Sequence, residues 1–233
     1  RPQIIVSAAA YTAVDKAEAE PELAFLINGE AVKVLAQEAY LLNSWLIHYS
    51  TDYVFDGSKE GPYTETDSPA PLSVYGQSKL AGEAAIRASG CNHLILRTSW
   101  VYAARGNNFI KTMLRLAGER DELKVVCDQL GAPTSAELLA DITAHCMYRL
   151  HYDSSFATDK SGTYHLVAGG TTSWHGFAQM IIDQASGYGV KLRAGAQDVL
   201  AIPTSEYPLP ARRPANSHLA TDKIRRTFTL ELH

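Results

Sequence analysis

The chain has 233 residues, 46% of them hydrophobic and 20% charged, with a formal net charge of −4. That balance allows one large packed domain, or one and a half, and argues against disorder; it gives no bulk attraction to nucleic acid or to an anionic membrane. No apolar run reaches the roughly 18 residues of a membrane span, and the opening RPQIIVSAAAYTAVDKAEAE turns acidic too soon for a secretory signal.

In chain order, QIIVSAAA (3–10) predicts a short buried strand ending in small residues. PELAFLINGEAVKVLAQEAYLLN (21–43) predicts a helix, with Leu23, Leu26, Ile27, Val34 and Leu35 at helical spacing. WLIHYS (45–50) is a second strand, and the Pro- and Gly-rich stretch 56–73 is a loop. A helix over 74–88 follows, then a strand at 93–102, a helix at 107–118 and a strand at 123–129. Strands separated by helices imply right-handed crossovers and a parallel sheet, so these four strands are expected in one sheet. After about residue 130 the pattern loosens. A helix at 135–150, a flexible loop at 153–161, the stretch SGTYHLVAGG (161–170) and a helix from Trp174 predict a smaller lobe facing the substrate. The expected division is a partial nucleotide-binding sheet domain at 1–132 and a mainly substrate-binding lobe at 133–233, some of whose segments return to the sheet.

The three cysteines, Cys91, Cys127 and Cys146, are odd in number and widely spaced. They are read as idle thiols in a reducing cytoplasm rather than as a disulfide frame. The eight histidines form no HxxxH pair, so no metal site is expected.

The chemistry concentrates in SVYGQSKLAGE (73–83). Tyr75 and Lys79 stand at i and i+4, on one face of the predicted helix. An ammonium near a phenol favours phenolate and lowers the tyrosine pKa, and a tyrosine tuned that way can exchange a proton with a carbonyl or alcohol oxygen. Alone, the pair is equally two surface residues at helical spacing. Upstream, WLIHYS runs into TDYVFDG, which puts Thr51 and Asp52 just past the C-terminal end of a parallel strand, where α/β sheets bind ligands. A turn at a strand end would also explain them. SAAAYT (7–12) offers small side chains on which a flat cofactor could lie, though tight helix packing uses the same residues.

The blocks SAAAYTAVDKAEAEPE, YSTDYVFDG, VYGQSKLAGE, RTSWVY, GNNFIKTML, DQLGAPT and YHLVAGGTTSWHGFA occur in that order across nearly the whole chain. Together they resemble the dTDP-4-dehydrorhamnose reductases, a family of extended short-chain dehydrogenase/reductases. The resemblance implies a Rossmann-like α/β fold and reduction of the 4-keto group of dTDP-4-dehydro-L-rhamnose to dTDP-L-rhamnose by NADPH or NADH. It implies a cytoplasmic enzyme with a dTDP-sugar as partner, no nucleic acid or membrane partner, and room for a homodimer. It makes Thr51, Tyr75 and Lys79 a catalytic triad: Tyr75 the acid toward the C4 oxygen, Lys79 the ligand of the nicotinamide ribose, Thr51 the polariser of the carbonyl. It places Ala9, Ala10 and Tyr11 on the cofactor, together with Tyr75 and Lys79. Val14, Asp52, Phe55 and Trp100 fall on the substrate side, and Arg213 and Asn216 fall where the nucleotide sugar is held.

The family's opening strand, glycine-rich G-x-x-G-x-x-G turn and helix do not occur in this sequence, so the expected sheet domain is N-terminally truncated and IIVSAAA becomes a sheet edge. RAGAQD (193–198) and VAGGTTS (167–173) are no substitutes, since neither opens a nucleotide-binding unit. Either the sequence is part of a longer reductase or the cofactor half has been lost, and in both cases weak NAD(P)H binding is expected. Ser7 stands where the family usually has asparagine. Two other readings remain: a non-catalytic partner-binding subunit of the same fold, like the methionine adenosyltransferase regulatory subunit, and a sugar-nucleotide epimerase. The triad favours an enzyme over the first; TSWVYA and GAPT, by resemblance, favour the reductase over the second.

Overall fold

The computed structural model describes residues 1–152 and 160–232, so most of the loop expected at 153–161 lies outside the described residues. In chain order the strands are β1 (Ile4–Ser7), β2 (Trp45–Thr51), β3 (His93–Thr98), β4 (Val101–Tyr102), β5 (Leu123–Val126), β6 (Leu130–Gly131), β7 (Thr134–Ser135), β8 (Gly162–His165), β9 (Thr172–Ser173) and β10 (Val199–Ile202). The α-helices are α1 (Val14–Ala17), α2 (Pro21–Phe25), α3 (Ala31–Leu42), α4 (Val74–Ser89), α5 (Phe109–Glu119), α6 (Ala136–Tyr152), α7 (Trp174–Gly187) and α8 (Asp222–Phe228).

The main sheet is parallel throughout, in the order β1-β2-β3-β8. Successive side chains of a strand point to opposite faces, and both faces here are covered. Leu46 and Ile95 meet Val32, Ala36, Ala39 and Ile86 of α3 and α4. Ile47, Leu94, Leu96 and Tyr164 meet Leu139, Cys146, Ile224 and Phe228 of α6 and α8. Burial on both faces explains why β2 and β3 read as continuous apolar runs. Among the described residues no helix is long and apolar enough to cross a membrane.

The fourth strand differs from expectation. The 123–129 stretch forms β5, which pairs with β10 in a separate two-stranded parallel sheet. β8 takes the place beside β3. The strand expected at 93–102 also breaks: β3 ends at Thr98, and Trp100 adopts φ 50°, turning β4 toward β7. β5 and β10 pack with α5 and α7 around Met113, Leu123, Val125, Phe177, Ile181 and Val199, a second core apart from the main sheet.

The helix expected at 21–43 is α2 and α3 joined by a π-type turn, Leu26–Glu30. Its buried face is Ala24, Asn28, Val32, Ala36 and Ala39, while Leu23, Leu26 and Val34 point outward. Small residues bring this helix against α4. A Cβ added at Gly82 of α4 would sit 2.2 Å from the Asn28 carbonyl oxygen. Replacing Gly82 by Ala should therefore cost about 1–3 kcal/mol, the usual range for overpacking a close contact. Urea unfolding of Gly82→Ala checks this, and wild-type stability would contradict the close approach.

Candidate active site

α4 begins beside the C-terminal end of β2. Ser73 caps it by accepting the Gly76 N–H at 3.2 Å, the usual N-cap arrangement. A Cβ on Gly76 would lie 2.2 Å from the Tyr53 carbonyl oxygen, so the glycine lets the first turn of α4 rest on the 51–54 turn. The Tyr53 and Tyr75 rings meet edge to face, with centroids 5.5 Å apart. Thr51, the last residue of β2, donates to Asp52 Oδ1 at 3.0 Å and accepts the Tyr53 N–H at 3.2 Å. Thr51 and the Asp52 charge both act on the Tyr75 phenol. Thr51, Asp52 and Tyr75 are thus brought together at the strand end.

Desolvation of its hydroxyl pushes the Tyr75 phenol up to about 12; the Asp52 charge adds to this and the Thr51 hydrogen bond opposes it. The lowering expected from Lys79 does not occur, because the Lys79 ammonium is engaged elsewhere. It donates to the Tyr49 carbonyl at 2.7 Å and lies 3.2 Å from His48 Nε2. Burial brings Lys79 down to about 8, against the attraction of Glu83. Asp52 is buried, and its carboxyl is pushed up to about 6 by desolvation, against hydrogen bonds from Ser217 and Thr51.

The other residues singled out in the sequence divide. Ala9 is exposed and Ala10 half-buried beyond β1; Tyr11 binds Asn28 through its backbone N–H at 2.8 Å and Glu20 through its hydroxyl at 2.6 Å. Val14 is half-buried and opens α1. Phe55, expected on the substrate side, is 1% exposed and stacks on Tyr63 at 4.2 Å, with the Arg97 guanidinium 5.0 Å from its ring centroid. Trp100 stacks on Trp174, centroids 3.5 Å apart. Arg213 pairs with Asp15 at 2.8 Å. Asn216 gives its amide to the Lys59 and Gly61 carbonyls, at 2.8 and 2.7 Å, tying the C-terminal segment to the 56–63 loop.

The family model described as RmlD substrate binding domain matches residues 1–233. The dTDP-4-dehydrorhamnose reductase of Escherichia coli K12 is 55% identical over 232 residues, spanning 100% of this chain and 76% of its own length. The reductase of the same name from Shigella flexneri is 54% identical with the same coverage. The chain belongs to the dTDP-4-dehydrorhamnose reductase family. The solved dTDP-4-dehydrorhamnose reductase of Bacillus anthracis, in complex with NADP, superposes with a TM-score of 0.85 at 38% identity, covering 99% of this chain and 76% of that one.

In this member of the reductase family, a cavity of about 890 Å³ opens between the second core and the C-terminal segment. Arg213 is the one residue singled out from the sequence that lines it. Arg120, Lys124 and Arg212 add positive charge, Asp15 sits beside Arg213, and Trp174 and Tyr207 supply aromatic wall. Toward the strand end, Arg213 and Asp15 act electrostatically on Tyr53, whose ring packs edge to face against Tyr75. Sequence reasoning missed Asn28, whose amide also donates to Ser78 Oγ at 3.0 Å and so joins the π-type turn to α4. Its signal was a lone amide in register with Ala24 and Val32, four residues to either side. It missed Trp174, which gave none beyond its size, and His48 and Glu83, whose polarity inside apolar elements was visible.

Proposed function

We propose that this chain reduces the 4-keto group of dTDP-4-dehydro-L-rhamnose to dTDP-L-rhamnose, with NADPH or NADH as hydride donor. The observation that carries the reading is the convergence of Thr51, Asp52 and Tyr75 at the end of β2, next to a cavity whose wall holds Arg213. In this reading Tyr75 gives its proton to the C4 oxygen as it becomes an alkoxide. A phenol held near pKa 12 is fully protonated at neutral pH, the state a reduction needs. Thr51 steadies the phenolate left behind by turning its one O–H from Asp52 toward the phenolate oxygen, the direction in which its hydrogen bond lowers the Tyr75 pKa.

The residues fit one side of a nicotinamide cofactor. Ala8 and Ala9 are small and exposed beyond β1, and two of the three N–H groups of Lys79 are used by the protein, leaving one for a ligand. Such a cofactor would supply the hydride; Lys79 and the Ala9–Tyr11 backbone would hold its ribose side. Among the described residues the cysteines are free, as suits a cytoplasmic enzyme.

The cavity suits a nucleotide sugar in size and lining: aromatic wall for a base, and guanidinium groups for a pyrophosphate, which arginine binds in bidentate fashion. Removing a hydrogen bond to a charged group weakens binding by about ten- to a hundredfold, so calorimetry of dTDP should register that loss in Arg213→Ala. Asp15→Asn, which releases Arg213 from its ion pair, should bind dTDP at least as tightly as wild type. Wild-type affinity in Arg213→Ala would move the pyrophosphate away from this wall.

A further inference from the structure

Below the Tyr75 site lies a buried group with no part in the reading above. His48 has 0% exposure in the middle of β2, between Lys79 on α4 and Ser7 at the end of β1. Its Nε2 is 3.2 Å from Lys79 Nζ, and its Nδ1 is 3.2 Å from Ser7 Oγ. An ammonium has three donors and no acceptor, so Nε2 must present a lone pair to Lys79. Nδ1 must then carry the ring proton and donate to Ser7. From these contacts we infer that His48 is a positioning residue for Lys79: a neutral imidazole, fixed by Ser7 as the Nδ1–H tautomer, that holds the ammonium from behind.

The arrangement has a definite chemical consequence. Lys79 also donates to the Tyr49 carbonyl. Two acceptors on the sheet side fix two of its N–H directions, and tetrahedral geometry then fixes the third. A water in place of the imidazole could reorient or exchange; a buried ring carried by β2 and held between Ser7 and Lys79 cannot. The charges facing this pair are Lys79 itself and Glu83, both on α4; burial and the Lys79 charge lower His48 to about 3, against the attraction of Glu83. The imidazole is therefore held neutral around neutral pH, and it adds no positive charge to compete with the ammonium.

The inference rests on Lys79 serving the proposed site, but its test does not use turnover, so failure of one is distinguishable from failure of the other. Nitrogen-15 NMR of histidine-labelled protein should show His48 with a protonated Nδ1 and a pyridine-type Nε2, unchanged from about pH 7, where Lys79 is an ammonium, to about pH 5, well above the lowered His48 pKa. An Nε2–H tautomer, or an imidazolium at pH 6, would overturn the assignment, and this measurement needs no variant. The second arm titrates the Lys79 Nζ by NMR. His48→Phe removes the acceptor and should lower the Lys79 pKa by about one unit, the scale of a hydrogen bond to a charged group. His48→Gln places an amide oxygen near the Nε2 position and should restore most of the wild-type value. A folded His48→Phe protein with an unchanged Lys79 pKa refutes the positioning role. Should His48→Phe fail to fold, Ser7→Ala takes its place: Nε2 still faces the ammonium, so the Nδ1–H tautomer should persist while the ring loses its Ser7 anchor and the Lys79 pKa falls below wild type; an Nε2–H tautomer there, or an unchanged Lys79 pKa, counts against the arrangement.

Discussion

Replacing Tyr75 by Phe is expected to lower ketone reduction by about 10²–10⁴-fold, the usual contribution of a general acid. The ring keeps its shape and its edge-to-face contact with Tyr53, so dTDP affinity and thermal stability should stay near wild type. The loss should appear in kcat with little change in KM, because the proton moves only as the alkoxide forms. Thr51→Val should cost less, roughly two- to tenfold, since it removes hydrogen bonds that support Tyr75 and Asp52 but leaves the proton donor and the volume in place. Lys79→Ala should lower turnover and also raise the KM for the nicotinamide cofactor, since one ammonium is assigned to both tasks. Near-normal turnover in Tyr75→Phe would remove Tyr75 as the general acid and require another proton donor at the strand end.

How far the sequence carried this can be seen at particular residues. The strand–helix alternation through β3 is plain, because runs such as LILR and WLIH have both faces buried and allow few other readings. The fourth strand is misplaced because β5 carries a comparable apolar run, LKVV, yet pairs with β10; the positive φ of Trp100, which follows the end of β3, leaves no mark in composition. The α2–α3 face was misjudged for a different reason. Helical spacing points the large apolar residues at the core, but the close approach of the two helices at Gly82 puts alanines and a buried amide there and leaves Leu26 and Val34 in solvent. At the site, Tyr75 and Lys79 stand one turn apart on α4 as expected, but burial pushes the phenol up and Lys79 does not bring it down. Two side chains one turn apart share a face only near the backbone. Beyond that, Tyr75 reaches Thr51 and Lys79 reaches His48, and their partners come from β2, which periodicity along α4 cannot reveal.

Glu83, one turn beyond Lys79, should give the largest stability effect in the molecule. Its side chain is 0% exposed and receives Arg97 through two hydrogen bonds, Nε to Oε1 at 2.8 Å and Nη2 to Oε2 at 2.7 Å. Ser50 donates to Oε1 at 2.6 Å. Breaking a buried pair by neutralising one partner leaves the other charge stranded, at a cost of about 3–5 kcal/mol. Glu83→Gln keeps the shape and should lose that much in urea unfolding at pH 7, a large share of the roughly 5–15 kcal/mol that typically separates folded from unfolded domains. Arg87 also reaches Glu83, at 3.1 Å, but its side chain is 42% exposed, so Arg87→Ala should cost no more than about 1 kcal/mol. The sign with pH follows from the carboxyl. Burial alone would raise its pKa, but Arg97, Ser50 and Arg87 together hold it below the ordinary carboxylate value. A depressed pKa contributes stability that is fully present above the unfolded value and is lost as pH falls through the folded one. The gap between wild type and Glu83→Gln should therefore be full at pH 7 and shrink on acidification below the ordinary glutamate range. The same charge favours the ammonium of Lys79, so the variant should also release the Lys79 proton at lower pH. Equal stability of the two proteins at pH 7 would mean that the guanidinium is satisfied without its carboxylate, and Glu83 would then matter for the charge of Lys79 and not for the fold.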